Sequence, residues 1–196
     1  WYGFNAGSQL RVDEITVTAF LNTDIAASIA GLTWLAIAWS VEKKPKFVGL
    51  LTGAVAGLVA ITPAAGYVSI GGAVLIGVLA GVVCYLAVAL KNRLKLDDAL
   101  DVWGVHGIGG VLGCIATGLF ATTVWNPAGA DGLFAGGTRF FLTETLSVVI
   151  TAAYAFAFSY AALWLIDKVV KVKVTKAEEL EGLDEAIHGE TAYEVI

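Results

Sequence analysis

The chain has 196 residues, of which 58% are hydrophobic and only 15% charged, and its mean hydropathy of +0.79 excludes an ordinary soluble domain. The net charge of −5 arises at one end, since seven acids and no Lys or Arg follow Lys176. No basic patch points to nucleic acid, no motif asks for a cofactor, and Cys84 and Cys114, lacking CxxC or Cys/His spacing, read as small buried hydrophobes.

The sequence opens with Trp1-Tyr-Gly-Phe4 inside what reads as the end of an apolar helix, with no charged segment before a cleavage site and no Met anywhere. The expectation is the C-terminal part of a longer membrane protein. Hydropathy then predicts a partial helix over 1–9 and spans near 15–41, 47–66, 68–90, 99–124 and 138–166. Each complete span can cross about 30 Å of hydrocarbon, the second only marginally. Lys43, Lys44 and Lys46 share one loop; Lys91, Arg93 and Lys95 another; Lys168, Lys171, Lys173 and Lys176 follow the last span. The other loops hold only Arg11 and Arg139. This strict alternation orients the first helix outward and the C-terminus toward the cytoplasm. A membrane domain over 1–173 and an acidic cytoplasmic tail over 174–196 follow.

Three small-residue pairs, Gly53/Gly57, Gly77/Gly81 and Gly109/Gly113, lie one turn apart in successive spans and predict closely packed helices. The uncharged Thr62-Pro-Ala-Ala-Gly-Tyr67 stretch ends a span, so it is expected to fold back at membrane depth, covered by protein or a watery cavity.

The first helix places Trp1, Phe4 and Ser8 on one face. Aromatic stripes usually mean packing, yet an aromatic face with a hydroxyl above it also suits a small cation, through cation–π attraction and one accepted hydrogen bond. Asp24 is about ten residues into its span, either a structural hydrogen-bond anchor or a pathway residue. Asp98 and Asp101 stand where N-capping carboxylates belong. If Asp98 caps the helix, His106 lies eight residues in, about 12 Å at the helical rise. That is deep in a hydrocarbon core of about 15 Å half-thickness. An ionisable group there marks a conduction pathway or proton relay by default, the alternative being a bond to a neighbouring helix. A 3.6-residue period aligns Trp103, His106, Gly110, Gly113 and Thr117, so either another helix packs before the imidazole or a narrow pore opens there. Glu144, near the outer end of the last span, and His188, in the tail, read as structural and solvated.

Together these residues resemble the ammonium transporter family, which spans ammonium transporters, methylammonium permeases and Rhesus proteins. The matching stretches are Trp1-Tyr-Gly-Phe-Asn-Ala-Gly-Ser8, Asn22-Thr23, Gly53 to Tyr67, Asp97 to Gly107 and Gly182 to Glu190, in the family's order along nearly the whole chain. The resemblance implies an all-α transmembrane bundle, the second inverted-repeat half (helices six to ten) with the long eleventh helix, in a homotrimer with one pore per protomer. It assigns His106 to the pore histidines, Phe4 to the gate and Ser8 to the outer recruitment site. Thr62 and Trp103 fall on the same pathway, Trp103 standing where the family usually has Phe. Asp24 matches no family motif.

The cargo implied is ammonium or ammonia, with methylammonium as analogue. Ammonium and potassium are alike in size and charge, so a dry pore with neutral imidazole separates them by hydrogen bonding and deprotonation, which potassium cannot perform. The tail residues Gly182, Asp184, His188 and Gly189 match a regulatory element, and the resemblance adds a trimeric PII signalling protein as a cytoplasmic partner. A Rhesus-like gas channel and a membrane-embedded ammonium sensor remain rival readings; no enzyme signature is visible.

Overall fold

The computed structural model describes residues 1–191; of the expected tail, 192–196 lie outside the described residues. Seven helices follow in order: α1 (Tyr2–Asn5), α2 (Glu14–Glu42), α3 (Phe47–Ile61), α4 (Ile70–Arg93), α5 (Gly109–Phe120), α6 (Thr138–Asp167) and α7 (Lys176–Glu181). A π-helical turn, Trp103–Ile108, runs directly into α5, and a second, Asp184–His188, follows α7. The architecture is all-helical, with no strand among the described residues.

Among the described residues, four helices are long and apolar enough to cross a membrane: Glu14–Glu42, Ile70–Arg93, the joined Trp103–Phe120 and Thr138–Asp167. The expected span over 47–66 is corrected, because α3 stops at Ile61 after 15 residues. The backbone then winds through irregular turns to Ser69, whose hydroxyl caps α4 by accepting from the Gly72 N–H. Pro63 cannot continue the intrahelical ladder, and protein supplies what the helix does not. The Asn22 side-chain amide of α2 donates to the carbonyls of both Ala65 and Val68, and the Thr122 N–H donates to that of Tyr67. The span expected over 99–124 is also shorter, starting at Val102 and ending at Phe120.

Two compact units are present, Trp1–Val149 and Ile150–Ile196. In the first, α2 packs against α3 and α4 through alanine and glycine. Ala26, Ala30, Ala56, Ala60, Ala73 and Ala80 are completely buried. A Cβ on Gly57 would stand 2.3 Å from the Ala26 carbonyl oxygen, one on Gly77 2.8 Å from the same atom, and one on Gly113 2.3 Å from that of Ala60. The three expected small-residue pairs all sit at helix contacts of this kind, Gly53 against Trp34, Gly81 against Thr33 and Gly109 against Cys84. A second cluster joins Trp34, Ala38, Ala56, Val59, Cys84, Val88 and Val105, with Trp34 edge-on to Tyr85. Cys84 is buried and Cys114 half-buried, both as free thiols. Gly118 receives Phe141 and Glu144 from the start of α6, which places Glu144 in packing.

The second unit holds the rest of α6, lined by stacked pairs Tyr154–Phe158 and Phe156–Tyr160, and the tail. Thr175 and Glu178 form a capping box on α7, their mutual hydrogen bonds holding the Glu178 carboxyl below its usual range. Gly182 ends α7 at φ +104° and Gly189 ends the second π turn at φ +68°, conformations open to glycine without a Cβ clash. Asp184 and His188 bound that turn, and both are exposed.

Gly57→Ala is expected to destabilise the protein by about 1–3 kcal/mol, since helix backbones must separate to admit the methyl group. Gly110→Ala, with nothing within 4 Å of the added carbon, is expected to leave stability unchanged. Thermal unfolding in detergent checks the contrast, and equal melting temperatures for the two variants would overturn it.

Candidate functional site

The site forms where α1, the turns after α3 and the π turn before α5 meet. Trp1 is its hub. Its indole Nε1 donates to Thr62 Oγ1 at 2.8 Å, its ring meets Phe4 edge-on at 5.8 Å, and it lies 6.4 Å from the His106 ring at a 31° tilt. Thr62 in turn donates its hydroxyl to the Leu58 carbonyl, and Ser8 donates to the Phe4 carbonyl at 2.5 Å. Both Ser8 lone pairs are thereby left to accept. Phe4, Ser8 and Thr62 line one cavity of about 200 Å³ together with Asn5, Gln9, Tyr67 and Asn126. Phe4 is 61% exposed, so its ring has one free face.

Two bonds fix α1 against α2. The Asn5 amide donates to Thr23 Oγ1 in the interior, and Tyr2 stacks on Phe20 at 4.2 Å while its hydroxyl donates to Asp24 Oδ1 at 2.5 Å. Asp24 lies on the exposed flank of α2 with Val17, Phe20, Leu21 and Leu32 and lines no part of the cavity. The contact given to it is that anchor to Tyr2. At the start of α2, Asp13 caps the helix by accepting from the Thr16 N–H and pairs with Arg11. Hydrogen bonds from the Gln9 side chain, the Thr16 backbone and Arg11 lower its pKa to about 2, so it stays ionised as the partner of Arg11.

The His106 helix differs from its sequence reading in three respects. Its first helical residue is Val102, so His106 lies only four residues into the helix rather than eight. Asp98 does cap, accepting from the Val102 and Trp103 N–H groups at 2.9 and 2.8 Å, but across a three-residue turn. Those bonds, that of Trp103 foremost, hold its carboxyl below the usual range. Asp101 is no side-chain cap: its backbone is left-handed at φ +56° and its carboxylate pairs with Lys91 at 2.7 Å.

The single 3.6-period face is also corrected. Because i→i+5 bonding winds residues 103–108 less tightly than an α-helix, the stripe divides where the π turn ends. Gly113 and Thr117 are buried, Gly113 packed against Ala60 and Pro63 of the α3 end, whereas Trp103, His106 and Gly107 lie on the exposed side and Gly110 faces open space. The imidazole is exposed on that side, with Trp1 the ring that meets it. Sequence reasoning omitted Asn5, Gln9, Tyr67 and Asn126 from the cavity and read Lys91 only as a loop charge; the Asn5–Thr23 bond was signalled by two polar residues inside otherwise apolar motifs.

Comparison with known proteins places this geometry. The chain matches the Ammonium Transporter Family over residues 1–193. It is 44% identical to the ammonium transporter of Bacillus subtilis (strain 168), over 99% of this chain and 48% of that protein. It is 41% identical to ammonium transporter Amt1 of Archaeoglobus fulgidus, over 98% and 49%. Among solved structures, Candida albicans Mep2 aligns with a TM-score of 0.85 at 36% identity, covering 91% of this chain and 41% of that one. A protein described as a sensor Amt protein aligns at 0.84 and 32% identity, covering 95% and 45%. The chain spans about half the length of the curated relatives it matches. Those relatives are named as transporters, not enzymes.

The anchor reading of Asp24 has a direct check in thermal stability. Tyr2→Phe and Asp24→Ala are each expected to lower the melting temperature, and the double variant to fall no further than the worse single one. Asp24→Asn, which keeps an acceptor for the Tyr2 hydroxyl, is expected to stay close to the parent. Additive losses in the double variant would show that the two side chains act separately.

Proposed function

The chain belongs to the ammonium transporter family, and from that membership we propose that it forms the histidine-bearing wall of a pore that passes ammonium or ammonia across the cell membrane. The observation that carries this reading is the run of contacts Phe4–Trp1–His106, which joins an exposed aromatic ring at a hydroxyl-lined cavity to an exposed imidazole. Ser8, with its lone pairs free, and the Phe4 ring recruit the cation at the outer mouth. Phe4 then gates a narrow passage past Thr62 and Trp103, and His106 accepts a hydrogen bond or a proton from the cargo. Potassium has no proton to give and is left behind.

The same reading makes residues 1–173 the membrane domain and 174–196 a cytoplasmic tail. The protein assembles as a homotrimer in the cell membrane, and the elements around Gly182, Asp184, His188 and Gly189 serve docking, with a PII signalling protein as cytoplasmic partner. The glycines at both ends of the second π turn support a shaped segment rather than a featureless acidic run. A second reading, an ammonium sensor that signals through this tail, is favoured by the similarity to the sensor Amt protein. Flux separates the two, because a sensor binds the cation without passing it.

In proteoliposomes, His106→Ala is expected to fold and to lose exclusion of potassium relative to methylammonium. Unchanged rate and unchanged exclusion would remove His106 from the pathway. Ser8→Ala is expected to raise the half-saturation concentration about tenfold, the equivalent of one charge-assisted hydrogen bond of about 1.5 kcal/mol, with little change in maximal rate. A fall in maximal rate without a rise in half-saturation would contradict its place at the mouth.

Deleting residues 182–196 is expected to alter activity or remove PII inhibition while the trimer persists. Normal transport together with full PII binding and inhibition would leave the tail without either role.

A further inference from the structure

Among the described residues, Lys91 is the one basic residue in the set of buried polar and charged side chains, with 6% of its surface exposed, although it lies near the end of α4 in a basic stretch that reads as a solvated loop. Its ammonium group donates to the Asp98 carbonyl at 2.7 Å and pairs with the Asp101 carboxylate, also at 2.7 Å. The two partners bound the turn that starts the His106 helix. Asp98 Oδ1 and Oδ2 hold the first two helical N–H groups, and the Asp101 carbonyl accepts from Val105 at 2.9 Å. A buried ammonium is costly unless it is paired and hydrogen-bonded, so these contacts hold the turn to α4 as a unit.

Asp101 itself is left-handed, at φ +56°, a conformation disfavoured for a residue with a Cβ and sustained here by its surroundings. Two residues further on, from Trp103, the chain winds as a π turn. Gly104 packs on Val88, one turn before Lys91 on α4, and Val105 is buried with Val88 and Cys84. One face of α4 thus holds both the start of the turn, by charge, and its middle, by shape. His106 follows immediately, on the side turned toward Trp1.

We propose that Lys91 is a positioning residue for His106: its buried ammonium, clamped between Asp98 and Asp101, sets the backbone phase of the π turn and so aims the imidazole at the Trp1 side. The proposal rests on the reading of His106 as a pathway residue. Lys91 touches no cargo; it acts through the turn.

The test uses the double variant Lys91→Met/Asp101→Asn, which removes both charges, leaves neither unpaired, and retains side chains of similar size. Methylammonium uptake and potassium exclusion are measured per folded protein in proteoliposomes, with thermal stability alongside. Stability is expected near the parent, the maximal rate or the exclusion of potassium to fall about tenfold, and the half-saturation concentration to hold, because the outer mouth is untouched. Adding His106→Ala is expected to change little more, whereas in the parent it acts strongly. A folded double variant with parental rate and exclusion, or with losses additive to those of His106→Ala, overturns the proposal. His106→Ala without effect in the parent sinks the pathway reading and this proposal with it. A strong His106→Ala effect beside an inert Lys91 pair sinks this proposal alone. Should the double variant fail to fold, Lys91→Met/Asp101→Gly, whose glycine suits the left-handed backbone and which again leaves no charge unpaired, carries the same expectations and the same overturning results.

Discussion

One backbone carbonyl, that of Ala26, marks the point on which the first unit depends. Glycines from two different helices, Gly57 and Gly77, approach it so closely that neither has room for a methyl group. In an apolar solvent, helices gain little from hiding hydrophobic surface, so contact area between backbones and dispersion must hold them. Small residues meet that need. The crossing of α2 with α3 and α4 then fixes the α3 end, where Thr62 stands, and presents Asn22 to the irregular turns after it. Without that crossing, the Ala65 and Val68 carbonyls would lose their amide partner in a place where water cannot replace it.

The same economy of partners runs through the site. Tyr2 and Asn5 tie α1 to α2 from one side, which leaves Trp1 and Phe4 free on the other. The short helix has only four residues, so its own hydrogen bonds cannot hold it, and tertiary contacts do. Asp24 belongs to this arrangement as an acceptor for the Tyr2 phenol, which gives an ionisable residue within α2 a partner.

Much of this was legible in the sequence. Apolar runs, alternating basic loops and three glycine pairs gave the helical bundle and its close contacts, because each depends on a local pattern of 3.6 residues or on composition. The failures are equally physical. The end of α3 at Ile61 was hidden because hydropathy continues through Pro63 and the alanines after it while hydrogen bonding does not. The π turn was invisible because an extra residue per turn leaves no mark on hydrophobic periodicity, so Gly113 and Thr117 were grouped with His106 and prove to lie in the packed interior. Lys91 was counted as a topogenic charge because only three-dimensional structure brings it onto Asp98 and Asp101. Of the two carboxylates read as caps, Asp98 does cap, and Asp101 forms an ion pair instead.

The direction of the hydrogen bonds around Trp1 has its own consequence. The indole N–H is given to Thr62, the Thr62 hydroxyl hydrogen to Leu58, and the Ser8 hydroxyl hydrogen to Phe4. Every polar hydrogen these side chains possess is spent inward, and what they turn outward is oxygen lone pairs and the electron-rich faces of aromatic rings. Such a wall is one-sided in its chemistry. On these three side chains an anion finds no hydrogen to accept, and the donors left at the cavity are those of its other lining groups, the Asn5, Gln9 and Asn126 amides and the Tyr67 hydroxyl.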